Sequence, residues 1–120
     1  METFDDKPTL DMKVYHQLCI DLGDEDGSAG IVLGLVNDYR ADAKRLVADL
    51  RQSLAQNYAE VFQRSAHTLK SNSAMFGAMK LSAMSKALEE MGKAKNLAGA
   101  DELLAAVETE LEKVLEALPK

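Results

Sequence analysis

The chain is poor in the features that mark secreted, β-rich or membrane-spanning proteins. It has one cysteine in 120 residues, so no internal disulfide can form. Aromatic residues make up 5% and there are two prolines, a composition that favours helix over sheet. No apolar run approaches the roughly 20 residues that a membrane-spanning helix needs. The acidic start, residues 1–13, lacks the apolar core of a signal peptide, so a cytoplasmic protein without membrane contact is expected.

Acidic residues outnumber basic ones, 20 to 14. The net charge is -6, which argues against binding to nucleic acid through bulk charge. Most basic residues lie between Arg40 and Lys95, so the middle of the chain can present a local basic patch. No Gly-rich nucleotide loop or P-loop lysine motif occurs, so the chain is not expected to be an autonomous kinase. His16, His67 and Cys19 lack the spacing of metal ligands, so neither a metal nor a cofactor is predicted.

Apolar residues recur at intervals of three and four along most of the chain, which predicts amphipathic helices. Five are predicted, at about 10–22, 29–54, 58–76, 80–96 and 99–118, and their core positions include Phe62, Leu69, Leu88 and Leu111. The predicted N-caps of the first three helices are Thr9, Ser28 and Asn57.

Short connections make neighbouring helices antiparallel. The sequence therefore predicts an all-α fold with one domain over residues 1–120. It is an up-down antiparallel four-helix bundle, with its core at about 29–118, and a short additional N-terminal helix.

The third predicted helix carries a histidine opposite its apolar stripe. Each residue turns a helix by about 100°, which places His67 about 160° from Leu69. Ser71 and Ala74 follow on the exposed face and are small, so a docking protein can reach the imidazole. Lys70, at i+3, can reach a charge placed on the ring. Most histidines on a protein surface neither react nor bind a partner. These features alone therefore predict only a helical bundle with an exposed histidine.

A longer pattern surrounds this histidine. Residues 66–78 read A-H-T-L-K-S-N-S-A-M-F-G-A, which resembles the signature of histidine-containing phosphotransfer (HPt) domains. Leu88-Glu89 matches the L-E pair of the family's next helix, and residues 96–100 resemble its connection into the last helix. Two positions depart from the pattern, since Ser71 stands where Gly is usual and Asn72 where a small residue is usual. The likeness extends over nearly the whole chain.

The resemblance implies a carrier that holds a phosphoryl group on His67. A neutral imidazole, available because the reference pKa of histidine is about 6.5, attacks phosphorus through one nitrogen. Glu89 is expected to bond the other nitrogen, and Lys70 to offset the phosphoryl charge. The remaining residues expected to support the phosphoryl group or contact the partner are Arg64, Ser71, Ala74, Lys86 and Lys93.

The resemblance also implies partners. These are response-regulator receiver domains, which supply the divalent metal ion, and a histidine kinase; the carrier itself is expected to be a monomer. Ser71 and Asn72 keep a second interpretation open, in which the bundle docks a kinase or receiver without phosphotransfer. An unrelated enzyme is a third interpretation, but no second catalytic constellation is visible.

Overall fold

A computed structural model describes residues 4–120, which form five α-helices and no strand. The helices are α1 (Met12–Asp21), α2 (Ile31–Gln56), α3 (Ala59–Met75), α4 (Met79–Lys93) and α5 (Ala100–Ala117). The all-helical prediction is confirmed. The first three residues of the predicted 1–120 domain lie outside the described residues.

The four helices α2 to α5 pack around a common core, each in contact with two of the others. α3 lies between α2 and α4, and α5 contacts both α4 and α2. Arg40, early in α2, donates to the carbonyl oxygens of Leu118 and Pro119 beyond α5. Arg51, later in α2, bonds Glu108 at 3.2 Å. Because the later residue of α2 meets the earlier residue of α5, these two helices run in opposite directions.

The predicted apolar stripes form the core. Phe62, Leu69, Leu88 and Leu111 are all buried, as predicted. Tyr58 was also assigned to the stripe of the third helix, and this assignment is wrong because its exposed fraction is 59%. The helix begins one residue later, at Ala59, so Tyr58 occupies the N-cap position and its side chain is not held in the helical phase.

Three predicted N-caps are wrong. The carboxylate of Asp11, not Thr9, accepts the backbone N–H of Lys13 at 3.0 Å and so caps α1. Asn57 is instead the C-cap of α2, with a left-handed φ of 55° that ends the helix.

The start of α2 is held by a more distant side chain. Gly30, not Ser28, is its N-cap residue and provides no side chain. The buried carboxylate of Asp24 accepts the backbone N–H groups of Ala29 and Val32, both at 2.9 Å. Through its bond to Val32, a residue in the preceding loop thus satisfies one of the N–H groups that a helix start leaves without partners.

The end of α4 comes earlier than predicted. The helix ends at Lys93, whereas the apolar pattern predicts an end near Asn96. Lys95 has a φ of 55°, and its backbone N–H bonds back to Gly92 while that of Asn96 bonds back to Met91. This pair of bonds is a Schellman motif, which closes a helix through one left-handed residue.

Candidate functional site

Close contact between α3 and α4 builds the site around His67. A Cβ at Gly92 would lie 2.7 Å from the Cβ and 2.8 Å from the Cα of Gln63, so only glycine permits this approach. Nearer the other end of α4, the Ser82 hydroxyl donates to the backbone carbonyl of Lys70 at 3.0 Å. Sequence analysis missed Gly92, although a lone glycine inside a predicted helix is a signal of close packing.

A buried carboxylate from α4 meets the exposed histidine of α3. His67 Nδ1 lies 2.6 Å from Glu89 Oε2, and Lys70 Nζ donates to Glu89 Oε1 at 2.7 Å. The Glu89 side chain is 5% exposed, while that of His67 is 57% exposed. Lys93 Nζ lies further away, 3.9 Å from Glu89 Oε2. Both oxygens of the carboxylate are therefore engaged by short contacts.

These contacts decide the charge of Glu89. Burial raises the pKa of the carboxyl group, but hydrogen bonds from Lys70 and His67, together with their charges, lower it by more. The net result is a pKa below the ordinary glutamate value, so Glu89 is ionised at neutral pH. An ionised carboxylate can only accept hydrogen bonds. Nδ1 of a neutral His67 therefore carries the ring proton, and Nε2 holds the free lone pair.

Two predicted cations lie beside the ring. Arg64 and Lys93 line one shallow pocket with His67 and Glu89, and both are exposed. Glu60 and Gln63 complete its lining.

The small residues that follow His67 differ in exposure. Ser71 is exposed, and its hydroxyl donates to the backbone carbonyl of His67 at 3.2 Å. The hydroxyl is thus held against the helix backbone. Ala74 is half-buried, less open than the helical phase predicts.

Other candidate residues lie away from this pocket. Lys86 is exposed and lines a separate groove between α4 and α5, which it shares with Phe4 and Leu103. His16 on α1 is exposed, with Nε2 3.9 Å from Glu25. Within residues 4–120, no three His, Cys, Asp or Glu side chains are grouped so that they could hold a metal ion. No helix in the same range is both long and apolar enough to cross a membrane.

Comparison with known proteins gives the site its family context. A solved structure, that of histidine-containing phosphotransfer protein B (HptB) from Pseudomonas aeruginosa PAO1, is similar to this chain, with a TM-score of 0.80. The two are 27% identical, and the match covers 90% of this chain and 89% of that chain. None of the curated proteins matches. The family model of the Hpt domain matches residues 34–117, which include His67, Lys70 and Glu89. The chain therefore belongs to the Hpt domain family.

Proposed function

We propose that this protein is a phosphorelay carrier. His67 accepts a phosphoryl group at Nε2 and passes it between response-regulator receiver domains, or takes it from a hybrid histidine kinase. The main observation behind this proposal is the bond from His67 Nδ1 to Glu89, which leaves Nε2 of an exposed ring as the free nucleophile. Membership of the Hpt family and similarity to P. aeruginosa HptB support the same function.

The proposed transfer is a substitution at phosphorus. The Nε2 lone pair forms an N–P bond while the P–O bond to the receiver's aspartate breaks, and the aspartate leaves with the bonding pair. The imidazole gains a positive charge and keeps its proton on Nδ1. Glu89, 2.6 Å away, offsets that charge, as carboxylates do for metal-bound histidines. The reverse step regenerates a neutral ring.

The division of labour between carrier and partner follows from this chemistry. The receiver supplies the divalent metal ion and the aspartate. This chain supplies a nucleophile on a rigid helix and has no kinase activity of its own. Arg64 and Lys93 line the pocket beside His67 and are proposed to flank the phosphoryl group. Ser71, which is exposed, and the half-buried Ala74 are proposed to contribute to the face that meets the receiver. The packing order of α2 to α5 supports an up-down four-helix bundle, and the carrier is proposed to act as a monomer.

Labelling with a phosphorylated receiver domain tests the proposal. Wild-type protein should take up acid-labile phosphate, and His67→Gln should abolish it with only a small change in melting temperature, because the side chain is largely exposed and the glutamine amide can still donate a hydrogen bond to Glu89. His16→Gln is the matched control, an exposed histidine on another helix, and should label as wild type does.

Two outcomes would contradict the proposal. Label that persists in His67→Gln would place the phosphoryl group on another residue. Receiver binding without any label in the wild type would favour the docking module without phosphotransfer.

A further inference from the structure

Helix α1 has few buried contacts of its own with the bundle. Cys19 is the one buried residue among its ten, and the helix packs mainly against α3. Isolated helices shorter than about 12 residues are marginal in water, so α1 depends on tertiary contacts to persist. Its position therefore depends strongly on the segments at its two ends.

The segment after α1 is fixed by a buried side chain. The backbone N–H of Asp24 donates to the carbonyl oxygen of Cys19 at 2.8 Å. The buried carboxylate of the same residue accepts the N–H groups of Ala29 and Val32 at the start of α2. The end of α1 is thus tied to α2.

The segment before α1, residues 4–11, contacts α4 and the turn that precedes it, and we call it the N-terminal strap. The backbone N–H of Asp11 donates to the carbonyl oxygen of Gly77 at 2.7 Å, and that of Lys80 donates to the carbonyl oxygen of Pro8 at 3.0 Å. A Cβ at Gly77 would lie 2.6 Å from the carbonyl oxygen of Asp11, so only glycine permits this approach. Backbone contacts therefore join the strap to the bundle close to the start of α1.

Two side chains attach the other end of the N-terminal strap. Phe4 packs against the core and lines the groove between α4 and α5, together with Met91 and Leu103. Asp5 Oδ1 lies 3.3 Å from Lys80 Nζ. The strap is thus held at both of its ends.

The cation of the Asp5–Lys80 pair is itself held in place. Lys80 Nζ also lies 3.9 Å from Oε1 of Glu110, whose side chain is 3% exposed. If the ammonium moved away, a buried carboxylate would lose its charged partner, which is unfavourable. Lys80 therefore stays at this position whether or not Asp5 is present, and only Asp5 loses side-chain freedom when the pair forms.

The position of α1 affects the surface that a receiver meets. The exposed Met75 follows His67 by eight residues, which is about 12 Å along α3. A typical protein interface covers about 800 Å² on each partner, a patch of about 16 Å radius. A receiver centred on His67 therefore reaches the end of α3, where Asp11 bonds Gly77 and α1 begins.

We infer that the N-terminal strap holds α1 against α3 through Phe4 and the Asp5–Lys80 pair, and that its release lowers the affinity for a receiver without changing phosphoryl transfer at His67. Both the strap and α1 precede residue 34, where the match to the family model begins. The effect on affinity rests on the proposed function, whereas the hold on α1 does not.

Hydrogen exchange of the α1 amides in the free full chain tests the hold directly. Phe4→Ala/Asp5→Asn should speed exchange in α1 by ~10-fold and leave α2 to α5 unchanged, because a segment with few buried contacts opens independently of the core. Asp6→Asn/Lys7→Ala is the matched control and should exchange as wild type does, since these two strap side chains pair with each other at 3.8 Å. Wild-type exchange in the first variant, or equal acceleration in all five helices, overturns the inference.

A double-mutant cycle tests the part played by Lys80. In the otherwise wild-type chain, Asp5→Asn should speed exchange in α1 by ~3-fold, the small effect of one exposed ion pair. In a Lys80→Met background, Asp5→Asn should have no further effect, because its partner is already gone. A further effect of the same size would overturn the assignment of Lys80 as the partner that holds the strap.

A receiver domain that phosphorylates the wild-type chain separates docking from chemistry. In Phe4→Ala/Asp5→Asn, the Kd for the unphosphorylated receiver should rise by ~3-fold or more, because only molecules with α1 in place bind fully. The single-turnover rate of transfer from the phosphorylated receiver, at saturating receiver concentration, should equal that of wild type.

Two failures have different meanings. An unchanged Kd in a variant with faster α1 exchange would overturn the link between the N-terminal strap and receiver docking. Failure of wild-type protein to take up phosphate would instead contradict the proposed function, and hydrogen exchange would still test the hold on α1.

Discussion

Glu89 and Glu110 are the two glutamates that the structure buries between residues 4 and 120, and their surroundings differ. Glu89 has a short contact at each oxygen, one from Lys70 and one from His67. Glu110 has Lys80 at 3.9 Å from Oε1, and its Oε2 accepts no hydrogen bond from the described residues. Each glutamate lies beside a half-buried lysine from another helix, but only Glu89 also contacts an exposed imidazole.

The difference shows why one buried carboxylate can orient a reactive histidine while the other does not. A buried carboxylate needs a charged partner and hydrogen bonds to remain ionised at low free-energy cost. Glu89 has both, so its charge is available to orient His67. Lys80 is shared with Asp5 of the N-terminal strap at 3.3 Å, so this pair links the strap to the bundle.

The largest expected effect comes from removing each carboxylate in turn. Glu89→Ala should slow phosphate uptake by His67 by ~10- to 100-fold, because the ring loses the acceptor that fixes its tautomer. Glu110→Ala should leave the rate at the wild-type value in the same single-turnover assay. Equal losses in the two variants would mean that the rate responds to any buried carboxylate, and the contrast would disappear.

One added carbon atom, the Cβ of an alanine at position 92, is enough to change the distance between α4 and α3. Gly92→Ala places a Cβ against the backbone of Gln63 and should destabilise the protein by ~1–3 kcal/mol, the range for overpacked cores. Phosphate uptake should fall as well, because Glu89 moves away from His67.

Gly34→Ala is the matched control for this substitution. Gly34 is also inside a helix, but a Cβ there meets nothing within 4 Å, so alanine should stabilise by roughly 0.5–1 kcal/mol. Denaturant unfolding of both variants measures the difference. A Gly92→Ala protein as stable as Gly34→Ala would show that α4 can shift without loss.

The smallest effect is expected at Ser71, beside His67. Ser71→Gly should lower stability by roughly 0.5–1 kcal/mol, because glycine is a poor helix residue. It should also raise receiver affinity or transfer rate, because it removes the hydroxymethyl group from the docking face. General damage to the fold would lower both stability and transfer, so a loss of stability with a gain in transfer identifies a specific effect at the docking face. If transfer is unchanged and only stability falls, the hydroxyl held against the His67 carbonyl does not hinder the receiver.

Much of the site could be predicted from local sequence. Burial of a helix face depends on which residues recur every three or four positions, and this is a property of one segment alone. The phase set by Leu69 therefore placed His67 in solvent correctly. Glu89 was matched to the ring through its resemblance to the family, and the structure brings the two within 2.6 Å.

Helix ends were less predictable, because caps depend on backbone conformation as well as on residue type. Asn57 is of a residue type that is common at N-caps, yet its left-handed φ makes it the end of α2. The carboxylate that holds the start of α2 belongs to Asp24, six residues before Gly30 along the chain. No local rule for a cap residue next to a helix points to it.

Sequence by itself determined the presence of the five helices, most of their buried faces and the exposure of His67, because each follows from the chemistry of one segment. Only the tertiary structure decided which partner Lys70 takes. At i+3 it is within reach of His67, but Gly92 lets α4 come so close that Lys70 donates to the Glu89 carboxylate at 2.7 Å. An ammonium group pairs with the strongest nearby acceptor, and that acceptor comes from a different helix, 19 residues further along the chain.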